Sequence, residues 1–393
     1  MTAEAVFADE PKLLRAAVIG CGAIAGNHVA AYRDVPGVEI VACFDTDNRR
    51  VRAFAADHDI AFAASSLDEL FDHGVDLISV CTPHPTHEAV VVAAAKRGVH
   101  VLCEKPIAID VAAAERMVSA CSDAGVVFGC VFQRRLWPAA QRIRRAIDDG
   151  TIGDPMMARA EVLLHRDSSY YTGTPWRGKW ETDGGGVLMT QAIHYVDLLQ
   201  WYLGDVDWVM TTADTFKHGE YIEVEDTLAA TLKFTSGAIA QFTASTALTP
   251  ALGQRIAITG STGATVGLLE YPEGTEAVND VWAVSEQQTF DGPREVLADV
   301  SLDRINASLA PFHAAQIVDF VAAVRSGATP LVSGQDALRS LRTMSAMYQS
   351  MRSGQPESPE TTDRPVGSES IGVPESHSHP QTQNSLAGQD DVA

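Results

Sequence analysis

Lys105 and His194 are the two side chains whose type and setting suit proton and charge handling at a single oxygen. Lys105 follows the apolar run Val99-His100-Val101-Leu102-Cys103 and then Glu104, and it precedes Pro106, whose fixed φ and missing N–H hold the lysine at a strand end. An ammonium held there can donate to an oxygen and stabilise alkoxide charge as hydride leaves the neighbouring carbon. Glu104 is expected to position it. His194 lies in the mostly apolar helical stretch 187–203, which opens on Gly184-Gly185-Gly186. Its reference pKa of about 6.5 suits a proton acceptor. Thr190 and Asp197 recur with it at helical spacing, so all three are expected on one face, Thr190 and Asp197 as substrate contacts. Alone, each has a plainer reading: a lysine snorkelling at a helix start, and a core histidine with satisfied hydrogen bonds. Their conjunction with the glycines is what points to chemistry. Trp176, Arg177, Lys179 and Trp180 precede the glycines, and cations beside indoles can hold a phosphate or stack on a sugar; simple surface packing explains them equally well.

The element that must organise these groups is Ala16-Ala17-Val18-Ile19-Gly20-Cys21-Gly22-Ala23-Ile24-Ala25, an apolar strand breaking into a glycine turn and then a helix. In this G-x-G-x-x-A pattern Gly20 permits the turn, Gly22 admits backbone close to a pyrophosphate, and Ala25 allows tight helix packing. The N–H groups of Gly22, Ala23 and Ile24 then face the anion at a positive helix end. Asp45, at the end of the next strand, is placed to accept hydrogen bonds from adenosine ribose hydroxyls, which favours NAD over NADP. Arg49 and Arg50 leave NADP open, against the alternative that they are solvated residues of a helix start. Thr82, Pro83 and His87 end one further strand, Glu104 and Lys105 another, and Gln133 follows a third; these carboxyl ends are where open α/β sheets bind cofactor. Arg134 and His313 are weaker candidates for lining the same crevice.

Residues 13–130 alternate short apolar runs with helical ones, the pattern of a parallel sheet covered on both faces. Strands are expected over 13–19, 38–44, 76–81, 99–103 and 126–131. Ser66 through Glu69 has capping-box spacing, and Asp110 is placed to cap the next helix. After a helix over 137–149 with Pro138 in its first turn, longer strands follow at 156–166, 224–234, 238–247, 255–260 and 264–269. They read as a second, mostly β domain, closed by amphipathic helices over 312–324 and 335–351. The expected organisation is an N-terminal tail (1–12), a dinucleotide-binding domain (13–135), an α+β domain (136–353) and a disordered acidic tail (354–393), whose composition buries too little apolar surface to offset ordering entropy.

With 51 acidic and 29 basic residues the chain carries a net charge of −22, which repels nucleic acid. No apolar run reaches the roughly 20 residues of a membrane span, and the first residues lack a signal-peptide pattern, so a cytoplasmic location is expected. The 6 cysteines show no metal-ligand spacing and are read as reduced and buried. No metal site is expected, His377 and His379 of the tail being too few for a ligand set.

The strand-ending Thr82-Pro83 with a histidine downstream, the Glu104-Lys105-Pro106 tripeptide and the Gly184-Gly185-Gly186 helix carrying His194 resemble the Gfo/Idh/MocA oxidoreductases in order and spacing, over residues 13–353. The resemblance implies a Rossmann domain followed by an α+β domain with a large, open, mostly antiparallel sheet, through whose exposed face members associate as dimers or tetramers. It also implies an NAD(P)-dependent dehydrogenase acting on a secondary hydroxyl of a sugar, cyclitol or nucleotide-linked sugar, with Lys105 and His194 catalytic. Inositol-dehydrogenase-like members carry Asp four residues before the histidine; here that position is Thr190, and the stretch looks more like members acting on nucleotide-linked sugars. NAD-dependent glycosidases and non-catalytic dinucleotide-binding regulators of the same family remain alternatives.

Overall fold

A computed structural model describes residues 13–284, 287–290 and 301–359. The N-terminal half alternates β1 (Leu14–Ile19), α1 (Ala25–Arg33), β2 (Val38–Phe44), α2 (Asn48–Asp57), β3 (Phe62–Ala64), α3 (Leu67–Asp72), β4 (Leu77–Val80), α4 (His87–Lys96), β5 (His100–Cys103), α5 (Val111–Asp123) and β6 (Phe128–Cys130). The six strands are all parallel and lie in the order β3-β2-β1-β4-β5-β6. This is the doubly wound order, whose chain reversal between β1 and β4 opens a crevice at the carboxyl ends. The central strands β1 and β4 are buried along nearly their whole length because helices cover both faces. Of these six strands only β3 had no counterpart in the sequence reading, three residues being too few to show a period. Asp110 caps α5 through the Ala113 N–H at 2.8 Å, as expected. Ser66 accepts from the Glu69 N–H at 3.1 Å, but Glu69 returns its carboxylate to Ser65, so the reciprocal half of the capping box is displaced by one residue.

The second half comprises α6 (Pro138–Asp148), β7 (Pro155–Leu163), α7 (Ser168–Thr172), a π-helical turn (Leu188–Ala192) running into α8 (Ile193–Leu203), β8 (Val206–Asp214), β9 (Thr227–Phe234), β10 (Ile239–Ser245), β11 (Gly253–Gly260), β12 (Thr265–Glu270), β13 (Val281–Val284), β14 (Gln287–Phe290), α9 (Leu302–Ser326) and α10 (Gly334–Ser353). Its eight strands form one sheet in the order β14-β13-β12-β11-β7-β10-β9-β8. Every pair is antiparallel except β10 with β7. Helices α6, α8 and α10 pack against this sheet. Its alternation of buried and exposed residues leaves Met157, Met210 and Ile239 exposed at 58, 40 and 45%.

Two expectations about the C-terminal part need correction. Helix α9 begins at Leu302, capped by Ser301, ten residues before the expected start at Phe312, and runs through Pro311. It then leaves the second domain: Ile317, Phe320 and Val321 join Leu14, Tyr32, Leu77 and Leu102 in the core of the Rossmann layer. By length and composition alone α9 would suit a membrane, yet its Phe312, His313, Gln316 and Ile317 are buried inside the protein. Secondly, the chain does not part from the fold at Gly354, because Glu357 pairs with Val209 of β8 through hydrogen bonds of 2.8 and 2.9 Å. The remainder of the expected tail, 360–393, and the N-terminal residues 1–12 lie outside the described residues.

Candidate active site

The glycine turn is built for close approach. Gly20 has φ +91°, and a Cβ there would sit 2.6 Å from the Cys81 carbonyl, so a side chain would pry β1 from the loop after β4. A Cβ on Gly22, by contrast, would meet nothing within 4 Å, and no side chain caps the start of α1. An uncapped helix start beside open space fits a dinucleotide pyrophosphate, with Gly22, Ala23 and Ile24 supplying the cradle. Asp45 is 8% exposed; one carboxylate oxygen takes the Cys21 N–H at 2.9 Å and the other the Asp47 N–H at 2.9 Å. The end of β2 is thereby tied to the turn. Arg50 stands 3.5 Å from Asp45, whereas the backbone N–H of Arg49 goes to Asp47 at 2.8 Å. Gln133 is 3% exposed, and its Oε1 lacks a partner among the described residues, an acceptor that a carboxamide donor would satisfy.

His87 does not reach this crevice as a ligand would. It is fully buried, with Nε2 2.9 Å from the Thr82 carbonyl oxygen and Nδ1 3.0 Å from that of Pro106, so it clamps the two cofactor-side loops together. Thr82 and Pro83 stay at the crevice, half-buried and exposed. The neighbouring His84, not singled out from sequence, packs edge-on against Trp176 with ring centres 5.2 Å apart and meets the Asp183 carbonyl at 3.2 Å. Burial lowers its pKa to about 3.

Lys105 is half-buried, and its Nζ donates to the Thr190 carbonyl at 2.7 Å. The lysine after β5 and the turn that leads into α8 are therefore in direct contact, although 85 residues separate them. Burial lowers the Lys105 pKa to about 8, with Glu104 opposing and Arg134 and Arg177 adding to the effect. His194 is 3% exposed, stands edge-on to Phe132, and its Nδ1 has no partner among the described residues. Burial, then Arg134, Lys105 and His313, holds its pKa well below the usual histidine range. A neutral imidazole with an unpartnered Nδ1, four residues beyond the Thr190 whose carbonyl Lys105 bonds, is chemically a proton acceptor. The glycine triplet explains this closeness: a Cβ on Gly186 would lie 1.8 Å from the Glu225 carbonyl oxygen, and the Glu225 carboxylate accepts the N–H groups of Gly186 and Leu188 at 3.0 Å each. These glycines seat the π-helical turn on Glu225, whose pKa burial raises to about 7.

Of the expected face of Thr190, His194 and Asp197, Thr190 is offset because it lies in the π-helical turn, whereas His194 and Asp197 stand three apart within regular α8. The Thr190 hydroxyl bonds the Gly186 carbonyl at 2.8 Å. Asp197 is buried in a bidentate pair with Arg135 at 2.7 and 2.8 Å, so its expected substrate role gives way to a structural one. Arg134 is likewise paired, with Glu270, and acts on the site only through its charge. Tyr195, next to His194, is buried 3.4 Å from Glu270. Arg177 lies over the rings of Tyr170 and Trp176 at 4.0 and 4.9 Å, and Gln191 ties the Tyr170 hydroxyl to the π-helical turn at 2.7 Å. Lys179 is exposed. A cavity of about 590 Å³ opens beside Tyr170, Arg177, Arg166 and Tyr271. Asp183, another residue the sequence reading passed over, is 1% exposed, accepts the Gly178 N–H at 2.9 Å, and has its pKa raised by burial to about 6. Its place directly before the glycines was the available signal.

Among the described residues, His28, Glu104 and His313 have ligand atoms within 4.8 Å of one another; hydrogen bonding, not ligation, accounts for the arrangement. All six cysteines are buried and unpaired, as expected.

A doubly wound sheet with a glycine cradle at its switch point, facing a lysine and a neutral histidine, defines a dinucleotide-dependent oxidoreductase. The oxidoreductase family with an NAD-binding Rossmann fold matches residues 14–132, and the Gfo/Idh/MocA C-terminal domain matches residues 140–266. The chain belongs to the Gfo/Idh/MocA family, and NAD is the cofactor of its N-terminal domain. It is 30% identical to D-apiose dehydrogenase of Paraburkholderia graminis, the match covering 87% of this chain and 89% of that one. It is 31% identical to 1,5-anhydro-D-fructose reductase of Ensifer adhaerens, over 88 and 98% of the two chains. Among solved structures, the WlbA dehydrogenase of Bordetella pertussis, crystallised with NADH and UDP-GlcNAcA, superposes with a TM-score of 0.77 at 31% identity, over 88% of this chain and 97% of that one.

Proposed function

We propose that this oxidoreductase moves hydride between NAD and a secondary hydroxyl or ketone of a sugar-like substrate, with Lys105 and His194 acting on the same oxygen. The observation that carries the reading is the contact between Lys105 Nζ and the Thr190 carbonyl, which brings the ammonium to the turn bearing a buried, unpartnered imidazole. In the oxidative direction His194 takes the hydroxyl proton, and Lys105, with N–H groups beyond the one given to Thr190, donates to the oxygen and stabilises its developing charge. Bound nicotinamide supplies the hydride acceptor. The glycine turn would hold the pyrophosphate, Asp45 the adenosine ribose and Gln133 the carboxamide. Trp176, Arg177 and Tyr170 would line the substrate side, and a nucleotide-linked sugar is the favoured class because an indole, a phenol and a guanidinium together suit both a base and a phosphate. We place self-association on the open face of the eight-stranded sheet, where Met157 stands beside Ile239 in the register of β7 and β10.

Substituting Lys105→Ala and His194→Ala separately tests the assignment. Each should lower kcat roughly 100-fold to 10,000-fold, with NADH affinity nearly unchanged because the cradle lies elsewhere. Turnover is read from NADH absorbance over a panel of sugars, cyclitols and UDP-sugars. Near-normal turnover in His194→Ala would make the histidine structural. Hydrolysis of a glycoside with no net NADH would favour the glycosidase alternative instead.

A further inference from the structure

We propose that His313, reaching in from α9, and His28 of α1 clamp the Glu104 carboxylate as a fixed anion behind Lys105, making the returning helix part of the machinery that orients and charges the lysine. The functional meaning of this clamp rests on the role proposed above for Lys105; the clamp itself is a matter of geometry. Glu104 is only 9% exposed, and a carboxylate so placed must find donors. One oxygen lies 2.9 Å from His28 Nε2 and 3.6 Å from His313 Nε2, and the other accepts the Lys105 backbone N–H at 3.2 Å. The carboxylate thus grips the backbone of the residue whose side chain it must also balance.

His28 is fixed from behind. When its Nε2–H donates to Glu104, Nδ1 becomes an acceptor for the Ser79 hydroxyl at 2.9 Å, and Ser79 in turn accepts from the Tyr32 hydroxyl at 2.9 Å. His313 Nδ1–H donates to the carbonyl of Leu309 one turn earlier at 3.0 Å, so its Nε2 also faces Glu104 as a donor when both ring nitrogens carry protons. Tyr32, Ser79 and His28 are fully buried, His313 is 3% exposed, and the two imidazoles meet edge-on with centres 5.7 Å apart. Four elements, α1, β4, the turn after β5 and α9, converge on one carboxylate. The charges acting on Lys105 from its other surroundings are Asp183 beside the glycines and the cations Arg134 and Arg177. Arg134 is already balanced by Glu270. Burial works against the ionised Glu104, but the hydrogen bond from His28 and the facing His313 imidazole hold its pKa well below the usual range.

The full-length protein saturated with NADH tests this without knowledge of the substrate. The rate at which acetic anhydride acylates Lys105, followed by peptide mass spectrometry across pH 6–10, reports the fraction of free amine. The wild-type midpoint is expected at about 8. In Glu104→Gln, which preserves shape and removes the charge, the midpoint should fall by roughly one unit, raising labelling at pH 7 about fivefold. His313→Asn keeps an amide near the Leu309 carbonyl but cannot reach Glu104, and should move the midpoint the same way; His313→Gln, which can reach it, should restore the wild-type value. Melting temperature and NADH binding establish that each variant is folded. A wild-type or raised midpoint in folded Glu104→Gln overturns the proposal, and so does a His313→Asn midpoint equal to that of His313→Gln. Since no substrate enters the experiment, its outcome is independent of whether Lys105→Ala abolishes turnover.

Discussion

Asp45 shows how one carboxylate can serve both fold and selectivity. It holds the glycine turn through the Cys21 N–H, and its position at the end of β2 leaves it to meet the adenosine ribose. A 2′-phosphate at that place would face its negative charge, with the exposed Arg50 3.5 Å away as the nearest compensation. NAD should therefore bind more tightly than NADP. In Asp45→Asn, which keeps an acceptor for the turn, the preference should narrow by roughly tenfold, the equivalent of one charge-assisted hydrogen bond. Fluorescence titration with both cofactors checks this; a wild-type protein binding NADP as tightly as NAD would show that Arg50 governs the site.

At the scale of elements, the two glycine groups do different work, and substitution should separate them. Gly186 presses against the Glu225 backbone, which cannot yield as a flexible side chain would. Gly186→Ala should destabilise the protein by about 1–3 kcal/mol through overpacking, and should also displace the Thr190 carbonyl from Lys105. Gly22 faces open space, so Gly22→Ala should leave the melting temperature unchanged while weakening NADH binding. Thermal melting and NADH titration of the pair read both outcomes. Equal destabilisation by the two substitutions would contradict the division of roles. The π-helical turn matters in the same way: it lets residues at nominal helical spacing diverge, so that Thr190 addresses Lys105 while Asp197 addresses Arg135.

The whole molecule carries one sheet closed between layers of helices and one with an open face. On that face Met157, Ile239, Lys233 and Trp208 form a row across β7, β10, β9 and β8, with Arg159, Gln241, Thr231 and Met210 beside it. Exposed methionine and isoleucine flanked by polar residues support the self-association proposed for this face. Ile239→Glu should reduce the mass measured by sedimentation to that of a smaller species without loss of NADH binding. An unchanged mass would place the interface elsewhere. Helix α9 links the two halves, since it leaves the second sheet, packs on α1 and delivers His313 to Glu104.

Local patterns in the sequence determined the doubly wound half, the glycine turn with Asp45 at the end of the next strand, and the placement of Lys105 at a strand end and His194 on a helix. Each rests on a short-range constraint: an apolar strand, a turn that only glycine permits, a cap, a proline. Partners across the fold were beyond such signals. That Arg135 meets Asp197, that Arg134 meets Glu270 136 residues away, and that His87 binds backbone while His84 faces Trp176 were all decided by tertiary packing. Hydrophobic periodicity states which face of an element is buried, not what lies opposite it. The return of α9 to the Rossmann layer, and with it the clamp on Glu104, depends on apolar surfaces nearly 300 residues apart finding each other, as the bond from Asn27 to the Asn306 carbonyl records.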